Sequence, residues 1–374
     1  MYAMNLLNKI KDTFTSSTAG ESVVGVDITD SFIKVVELSR SDQRAKLETY
    51  GKIALGPYGE AEVGQVIGLS KDTTIEALKD VLRESKVSTK ECGIAIPMSS
   101  SLTSFIEVPA MERGKLENVV PIEARKHIPV PLSEVYLDWH IIPREEVEYG
   151  RDEEYSEDSL KVMVVAIHKE SINSFQTIIE KADLNPNFFE IEVFSTIRSV
   201  LNKDLSSVLL VDLGAAVTKV YVVRHGLVFD SHVINRGGQD ISDSIAKSLD
   251  VSFGKAEELK RQFGLDNGDD SEAAAAVHEN ASVIFEDILS DVQEILIDFE
   301  TENNQSVNKV LLTGGTAIFS GLPMLARDYL DADVELGDPF EKVHSPAFLD
   351  ETLQEAGPEF AVAIGVALRN LQGR

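Results

Sequence analysis

The feature that most constrains this chain is an internal echo. Val24-Gly25-Val26-Asp27 leads through a polar turn to Lys34-Val35-Val36, and Leu210-Val211-Asp212 leads through Gly214-Ala215-Ala216 to Lys219-Val220-Tyr221. Seven positions separate the acid from the lysine in both copies, and the copies lie 185 residues apart. Each copy reads as a buried strand ending in an acid, a tight turn, and a second strand that begins near a lysine. A repeat of that kind within 374 residues implies two related halves, each long enough to bury its own core.

Such a hairpin has a chemical use. Small residues at its tip let backbone N–H groups approach phosphate oxygens. An acid at the strand end suits a hydrated Mg²⁺, which binds through few carboxylates, and a lysine neutralises phosphate as a point charge. Two of them face to face would clamp a polyphosphate from both sides. Asp27 and Asp212 are therefore the candidate metal ligands. Thr29, Ser31 and Lys34 on one side, and Gly214, Ala215, Ala216, Thr218 and Lys219 on the other, are the candidate phosphate contacts. Either copy alone would pass for an ordinary hairpin; the shared offset favours the paired reading.

Two further stretches point to a nucleotide. Val310–Ala317 is a strand ending in Gly314-Gly315-Thr316, where the backbone can press against a flat ring or a ribose. Glu257 and Lys260 stand one helical turn apart on one face, able to hydrogen-bond a base and sugar, although such a pair is also the ordinary dress of a solvated helix. No Walker-type Gly-x-x-x-x-Gly-Lys-Ser/Thr sequence is present, nor a Gly-x-Gly-x-x-Gly run after a strand.

Charge narrows the partners. Lys plus Arg number 35 against 63 for Asp plus Glu, a formal net charge of −28, which repels nucleic-acid backbones while leaving room for one nucleotide in a locally cationic pocket. The single cysteine, Cys92, excludes an internal disulfide framework. No apolar run reaches the roughly 18 residues of a membrane span, and the start lacks the pattern of a secretory signal, so a cytoplasmic protein is expected. Met4, Leu7, Ile10 and Phe14 fall at helical spacing, as in a short amphipathic stretch or a frayed terminus. Glu145–Asp158 carries eight acids against Arg151 and reads as a solvated hairpin loop.

These elements in this order resemble the actin, sugar-kinase and heat-shock-chaperone ATPase superfamily. The Asp27 and Asp212 hairpins look like its two phosphate motifs, Gly314–Ala317 like its adenosine motif, and Phe189–Phe194 and Ala361–Ala367 like its connecting segments. Within it the chain is similar to the PilM family of type IV pilus assembly from Ser22 onward, on Ile122–Pro129 with Asp138, on Arg236-Gly237-Gly238-Gln239-Asp240-Ile241, and on Gly337-Asp338-Pro339-Phe340. The resemblance adds Gly237 and Gly238 to the candidate nucleotide contacts. Thr29 departs from it, standing where the first phosphate motif usually has glycine, which stiffens that turn.

The resemblance implies an α/β, bilobed actin-like fold of the duplicated ribonuclease H type, with ATP or ADP and Mg²⁺ in the cleft. Its expected divisions are a leading segment 1–21, a first lobe 22–204 with a small inserted α+β subdomain at about 92–166, and a second lobe 205–374 with a helical part at about 240–308. It also implies an assembly adaptor whose partner is the cytoplasmic tail of PilN, an inner-membrane protein, docked by an Asn-Leu-Leu core in a groove involving the insertion. Asn5-Leu6-Leu7 matches that core, and self-association stays open. Location is expected at the inner face of the cytoplasmic membrane through partners. Slow hydrolysis at most is expected, with Asp27 and Glu192 as the catalytic candidates and Glu192 orienting water. An FtsA-like filament protein, which would normally carry a terminal amphipathic helix, and a small-metabolite kinase are the alternatives.

Overall fold

In a computed structural model, residues 22–41, 44–142, 159–202, 207–265, 269, 271–307 and 309–372 are described. The amphipathic start with Asn5-Leu6-Leu7 and the acidic run Glu145–Asp158 lie outside them.

The first half opens as a meander of β1 (Ser22–Ile28), β2 (Phe32–Ser41) and β3 (Arg44–Ala54), followed by α1 (Lys71–Glu84). β1 is buried along almost its whole length, which is why it reads as an unbroken apolar run rather than an alternation. Ser70 accepts the Thr73 N–H and so starts α1. After β4 (Glu91–Ile96) come β5 (Ser101–Pro109), α2 (Arg113–Ala124), β6 (Val135–Ile141), β7 (Ser159–His168) and α3 (Lys169–Lys181). The half closes with β8 (Asn185–Ile191) and α4 (Glu192–Val200).

The second half repeats the plan. A meander of β9 (Ser207–Leu213), β10 (Thr218–Arg224) and β11 (Leu227–Ile234) leads to α5 (Gly238–Leu249), α6 (Phe253–Phe263) and the long α7 (Glu272–Asn303). Then follow β12 (Lys309–Thr313), α8 (Leu322–Leu330), β13 (Val334–Leu336), β14 (Val343–His344), α9 (Asp350–Ala356) and α10 (Ala361–Gln372).

The two large sheets have matching strand orders, β3-β2-β1-β4-β8 and β11-β10-β9-β12-β13. In each the meander is antiparallel and the last two strands are parallel. The duplication read from the hairpins therefore extends through the whole sheet. β14 adds itself to the free edge of β3, so the chain from the second half caps the first sheet.

Two expected boundaries shift. The insertion was drawn from Cys92, but the strand holding Cys92 is β4, paired between β1 and β8 in the first sheet. The separate sheet is β5-β7-β6, covered by α2 through Leu116, Val120 and Ala124. An apolar texture marks a buried strand without naming the sheet that buries it. The end of the chain, assigned to the second lobe, packs instead on the first: Ala363, Ile364 and Ala367 of α10 join Val23, Val36 and Leu38 in one core.

Helices α4 and α10 carry the chain between the halves, and they touch closely. A side chain on Gly365 would run into the Ser195 carbonyl, and one on Gly25 into the Ala363 carbonyl. The crossing is pinned by a buried ion cluster. Arg198 donates to both oxygens of Glu190 at 2.6 and 2.7 Å and to the Gly365 carbonyl at 3.0 Å, while Arg369 reaches Glu190 at 2.8 Å. Burial alone would raise the Glu190 carboxyl, but the two guanidinium groups win and hold it below the usual range.

Replacing Glu190 with Ala leaves the buried Arg198 without its carboxylate, and a loss of about 3–5 kcal/mol is expected in chemical denaturation at neutral pH. A depressed acid contributes stability above its unfolded pKa and loses it as pH falls through the folded value. The gap between wild type and Glu190→Ala should therefore narrow on acidification.

Candidate functional site

The seven-residue offset is a register. Asp27 sits directly opposite Lys34 across β1 and β2, and Asp212 directly opposite Lys219 across β9 and β10. Both turns close with the same backbone bond: Thr29 N–H to the Phe32 carbonyl at 2.9 Å, and Gly214 N–H to the Val217 carbonyl at 3.0 Å. In both, the lysine Nζ stands 3.9 Å from the aspartate Oδ2. Thr29, the departure from glycine, braces its own turn: its Oγ1 accepts the Phe32 N–H at 3.1 Å and donates to the Phe32 carbonyl at 2.9 Å.

Both turns open onto one cavity of about 410 Å³. Of the candidates read from the sequence, Asp27, Thr29, Ser31, Lys34 and Glu192 line it from the first half. Asp212, Gly214, Ala215, Ala216, Lys219, Gly238, Glu257, Lys260, Gly314, Gly315 and Thr316 line it from the second. Thr218 and Gly237 do not. Thr218 is fully buried and donates to the Arg236 carbonyl at 2.9 Å. Gly237 lies behind the second turn, where a side chain would strike the Ala215 carbonyl. Both shape the wall from behind.

Stretches far apart in sequence lock that wall. The first amides of α5 donate to the turn, Gly238 N–H to the Gly214 carbonyl at 3.0 Å and Gln239 N–H to the Ala215 carbonyl at 2.9 Å. Thr316 Oγ1 reaches the Gly214 carbonyl at 2.9 Å, and Thr316 N–H the Leu213 carbonyl at 3.0 Å. Gly314 adopts φ +91°, a left-handed conformation that glycine takes without strain, and a side chain there would meet Asp212 Oδ1.

Charge in the cavity is only partly balanced. Burial pushes Asp27 up to about 6 against the pull of Lys34, with Glu192 and Asp212 adding to the rise. Glu192 Oε1 accepts from Lys219 Nζ and from the Met98 N–H, each at 2.7 Å. Burial disfavours the Lys219 cation, yet Glu192 and Asp212 more than offset this and raise its pKa. Farther along, Lys260 Nζ bridges Glu257 at 2.5 Å, Ser242 Oγ at 2.8 Å and the Gly238 carbonyl at 2.9 Å. Burial opposes the Glu257 charge, but Lys260 holds its carboxyl below the usual range. A side chain on Gly315 would meet no atom within 4 Å. Among the described residues no group of three or more His, Cys, Asp or Glu is placed to hold a metal ion by itself.

Some lining residues gave no signal in the sequence. Lys52 pairs with Glu359 at 2.7 Å across a separation of 307 residues. Gln239, Arg261, Ile318 and Phe319 are also among the lining residues. Gln239 belongs to the Arg236–Ile241 stretch, though without a site role there, and Ile318 follows Gly314–Ala317, so both stand beside residues with a signal; the Lys52–Glu359 pair needs the fold. Glu190, the other acid of the connecting segment, lies in the Arg198–Arg369 cluster.

A family model described as type IV pilus assembly protein PilM matches residues 25–371. The chain belongs to the PilM family. A chain of the solved PilM–PilN type IV pilus biogenesis complex superposes with TM-score 0.78 at 26% identity, covering 95% of this chain and 100% of that one. The ethanolamine utilization protein EutJ from Carboxydothermus hydrogenoformans (TM-score 0.55, 14% identity, 97% and 98% covered) and ADP-bound MreB5 of Spiroplasma citri (0.52, 10%, 94% and 97%) share the fold. The fold is thus the actin-like one. Among curated relatives, the cell division protein FtsA of Bacillus subtilis is 27% identical over 256 residues, 61% of this chain and 57% of that protein. The match thus spans little more than half of the Bacillus protein. FtsA of Neisseria meningitidis is 22% identical over 335 residues, covering 79% of this chain and 78% of that one. Among the described residues of this PilM-family chain, no helix is long and apolar enough to cross a membrane.

In a PilM-family cleft built this way, Gly314 is a position where both backbone conformation and space call for glycine. Gly314→Ala forces a side chain into a left-handed residue and onto Asp212, and should lower stability by about 1–3 kcal/mol in urea unfolding. A neutral result would contradict this, because the added Cβ also meets the Leu213 carbonyl and no movement of the Asp212 side chain relieves that.

Proposed function

We propose that this PilM-family protein binds ATP or ADP with Mg²⁺ in the cavity and works as a nucleotide-dependent cytoplasmic adaptor of type IV pilus assembly. Its partner in this reading is the cytoplasmic tail of a PilN-type inner-membrane protein, through which it is held at the membrane. The observation that carries the nucleotide part is the pair of register-matched turns, one from each half, opening onto one cavity. The likeness to the PilM–PilN complex supports the partner.

Each residue has a part in this reading. The turn N–H groups between Thr29 and Phe32, and between Gly214 and Val217, would face phosphate oxygens, with Lys34 and Lys219 neutralising charge. Asp27 and Asp212 would hold a hydrated Mg²⁺ jointly with phosphate. Two carboxylates and no closed cage suit an ion that keeps its waters, and the incompletely balanced Asp27 suits a cation. Bound Mg²⁺ would draw charge off the phosphates. The nucleoside would lie over Gly315, against Glu257 and Lys260. Glu192 Oε1 accepts from Lys219 and Met98, which fixes the carboxylate and leaves Oε2 as the oxygen that would orient a water. Turnover in this reading is slow at most, and the nucleotide acts by biasing the angle between lobes.

Isothermal titration tests this with ATP·Mg²⁺ and with a PilN tail peptide. Wild type should bind the nucleotide. Lys34→Ala should weaken binding about tenfold or more, since a charge-assisted phosphate contact is lost. Gly315→Ala should weaken binding while leaving the unfolding midpoint unchanged, because the added Cβ meets no protein atom within 4 Å and stands on the cavity wall. Peptide affinity should differ between nucleotide-bound and nucleotide-free protein by roughly fivefold or more. No heat with ATP·Mg²⁺ would end the nucleotide reading, and identical peptide affinities would reduce the protein to a scaffold.

A further inference from the structure

The connection between β3 and α1 does more than join them. From Leu55 to Ser70 it crosses from the first half to the second, along the mouth of the cavity. On its own side it is tied to the first turn: Leu55 N–H donates to the Ser31 carbonyl and Ile67 N–H to the Asp30 carbonyl, both at 2.9 Å. Tyr58 Oη anchors it to Asp80 of α1 at 2.7 Å. It is braced internally as well, by Ala61 N–H to the Gly56 carbonyl at 3.0 Å and Glu62 N–H to Gln65 Oε1 at 2.7 Å. A segment tied at so many points moves as a unit.

Across the cleft, three bonds reach the helices of the second half. Glu62 Oε2 accepts from the Gly254 N–H at 2.9 Å and from Ser252 Oγ at 3.0 Å. Val66 N–H donates to Gln239 Oε1 at 2.6 Å. Ser252 is the N-cap of α6 and Gly254 lies in its first turn, so a carboxylate from the other lobe sits at the positive end of that helix. Beside it Gly64, at φ +91°, lies against Glu257; a side chain there would stand 3.2 Å from the Glu257 carboxyl carbon. Helix α6 is the element that carries Glu257 and Lys260 into the cavity.

We infer that Glu62 is a positioning residue for the nucleotide site: from the first lobe it clamps the N-terminus of α6, holding the Glu257–Lys260 wall at a fixed distance from the Asp27 turn and slowing ligand escape. This rests on the proposed nucleotide reading for its consequence, though not for its geometry. Opening the cleft requires breaking the Glu62 and Val66 bonds together. Glu62 and Ser252 are exposed and only the Val66 bond is half-buried, which limits the effect to a modest one.

The experiment compares wild type, Glu62→Ala and Glu62→Gln by stopped-flow release of a ribose-labelled fluorescent ADP, with amide hydrogen exchange on the same ligand-free proteins. Release from Glu62→Ala should be about three- to tenfold faster than from wild type, with an unchanged unfolding midpoint. Glu62→Gln, which keeps a neutral acceptor, should fall between. Without ligand, Glu62→Ala should exchange faster at the Gly254 and Val66 amides and normally at β9 and β12. Wild-type binding with unchanged release in Glu62→Ala would overturn the inference and leave the nucleotide reading intact. If wild type failed to bind the probe, the nucleotide reading would fall, and the exchange rates alone would decide the clamp: unchanged protection at Gly254 would overturn it.

Discussion

The structure depends on one local constraint, a buried strand that ends in an acid with a lysine directly across the hairpin. Burial alone would leave Asp27 poorly tolerated. The lysine opposite relieves part of that cost at 3.9 Å, too far for a full hydrogen bond. Burial first, and then the like charges of Glu192 and Asp212 brought to the same cavity, push Asp27 up to about 6 against the pull of Lys34. A site so arranged is stable only because stronger elements fix it. The turn carbonyls are held by α5 and Thr316, and Glu192 is held by a backbone amide.

The halves are held together by elements with little freedom to drift. Gly365 and Gly25 let α10 approach α4 and β1 to backbone distance, and the Glu190–Arg198–Arg369 cluster sits at that crossing with its carboxylate satisfied from several sides. β14 ties the second half to the edge of β3, and Lys52 joins Glu359 beside the cavity. In the proposed reading, a ligand in the cleft would bias the angle between lobes about this crossing.

How much of this was legible follows from what each signal needs. The hairpins were readable because an acid–lysine offset of seven and a four-residue turn are the same statement in sequence and in register. Long amphipathic helices are readable as well: α7, Glu272–Asn303, buries a periodic stripe that runs from Ala274 to Phe299. β13 and β14, at three and two residues, carry no periodicity to find. β4 was placed in the insertion because apolar texture does not state which sheet buries it. The return of α10 to the first lobe is decided by glycines whose meaning appears only when two backbones meet. Lys52 with Glu359, and Glu62 with α6, are pairs between halves, and charge patterns along one chain do not disclose them.

The central claim is that both turns grip one polyphosphate. It is tested most directly by a crystal structure grown with a non-hydrolysable ATP analogue and Mg²⁺. Phosphate density is expected between the Thr29–Phe32 and Gly214–Val217 turns, with the metal near Asp27 and Asp212 and the ring over Gly315. A nucleotide bound at one turn only, or anywhere outside this cavity, would contradict it.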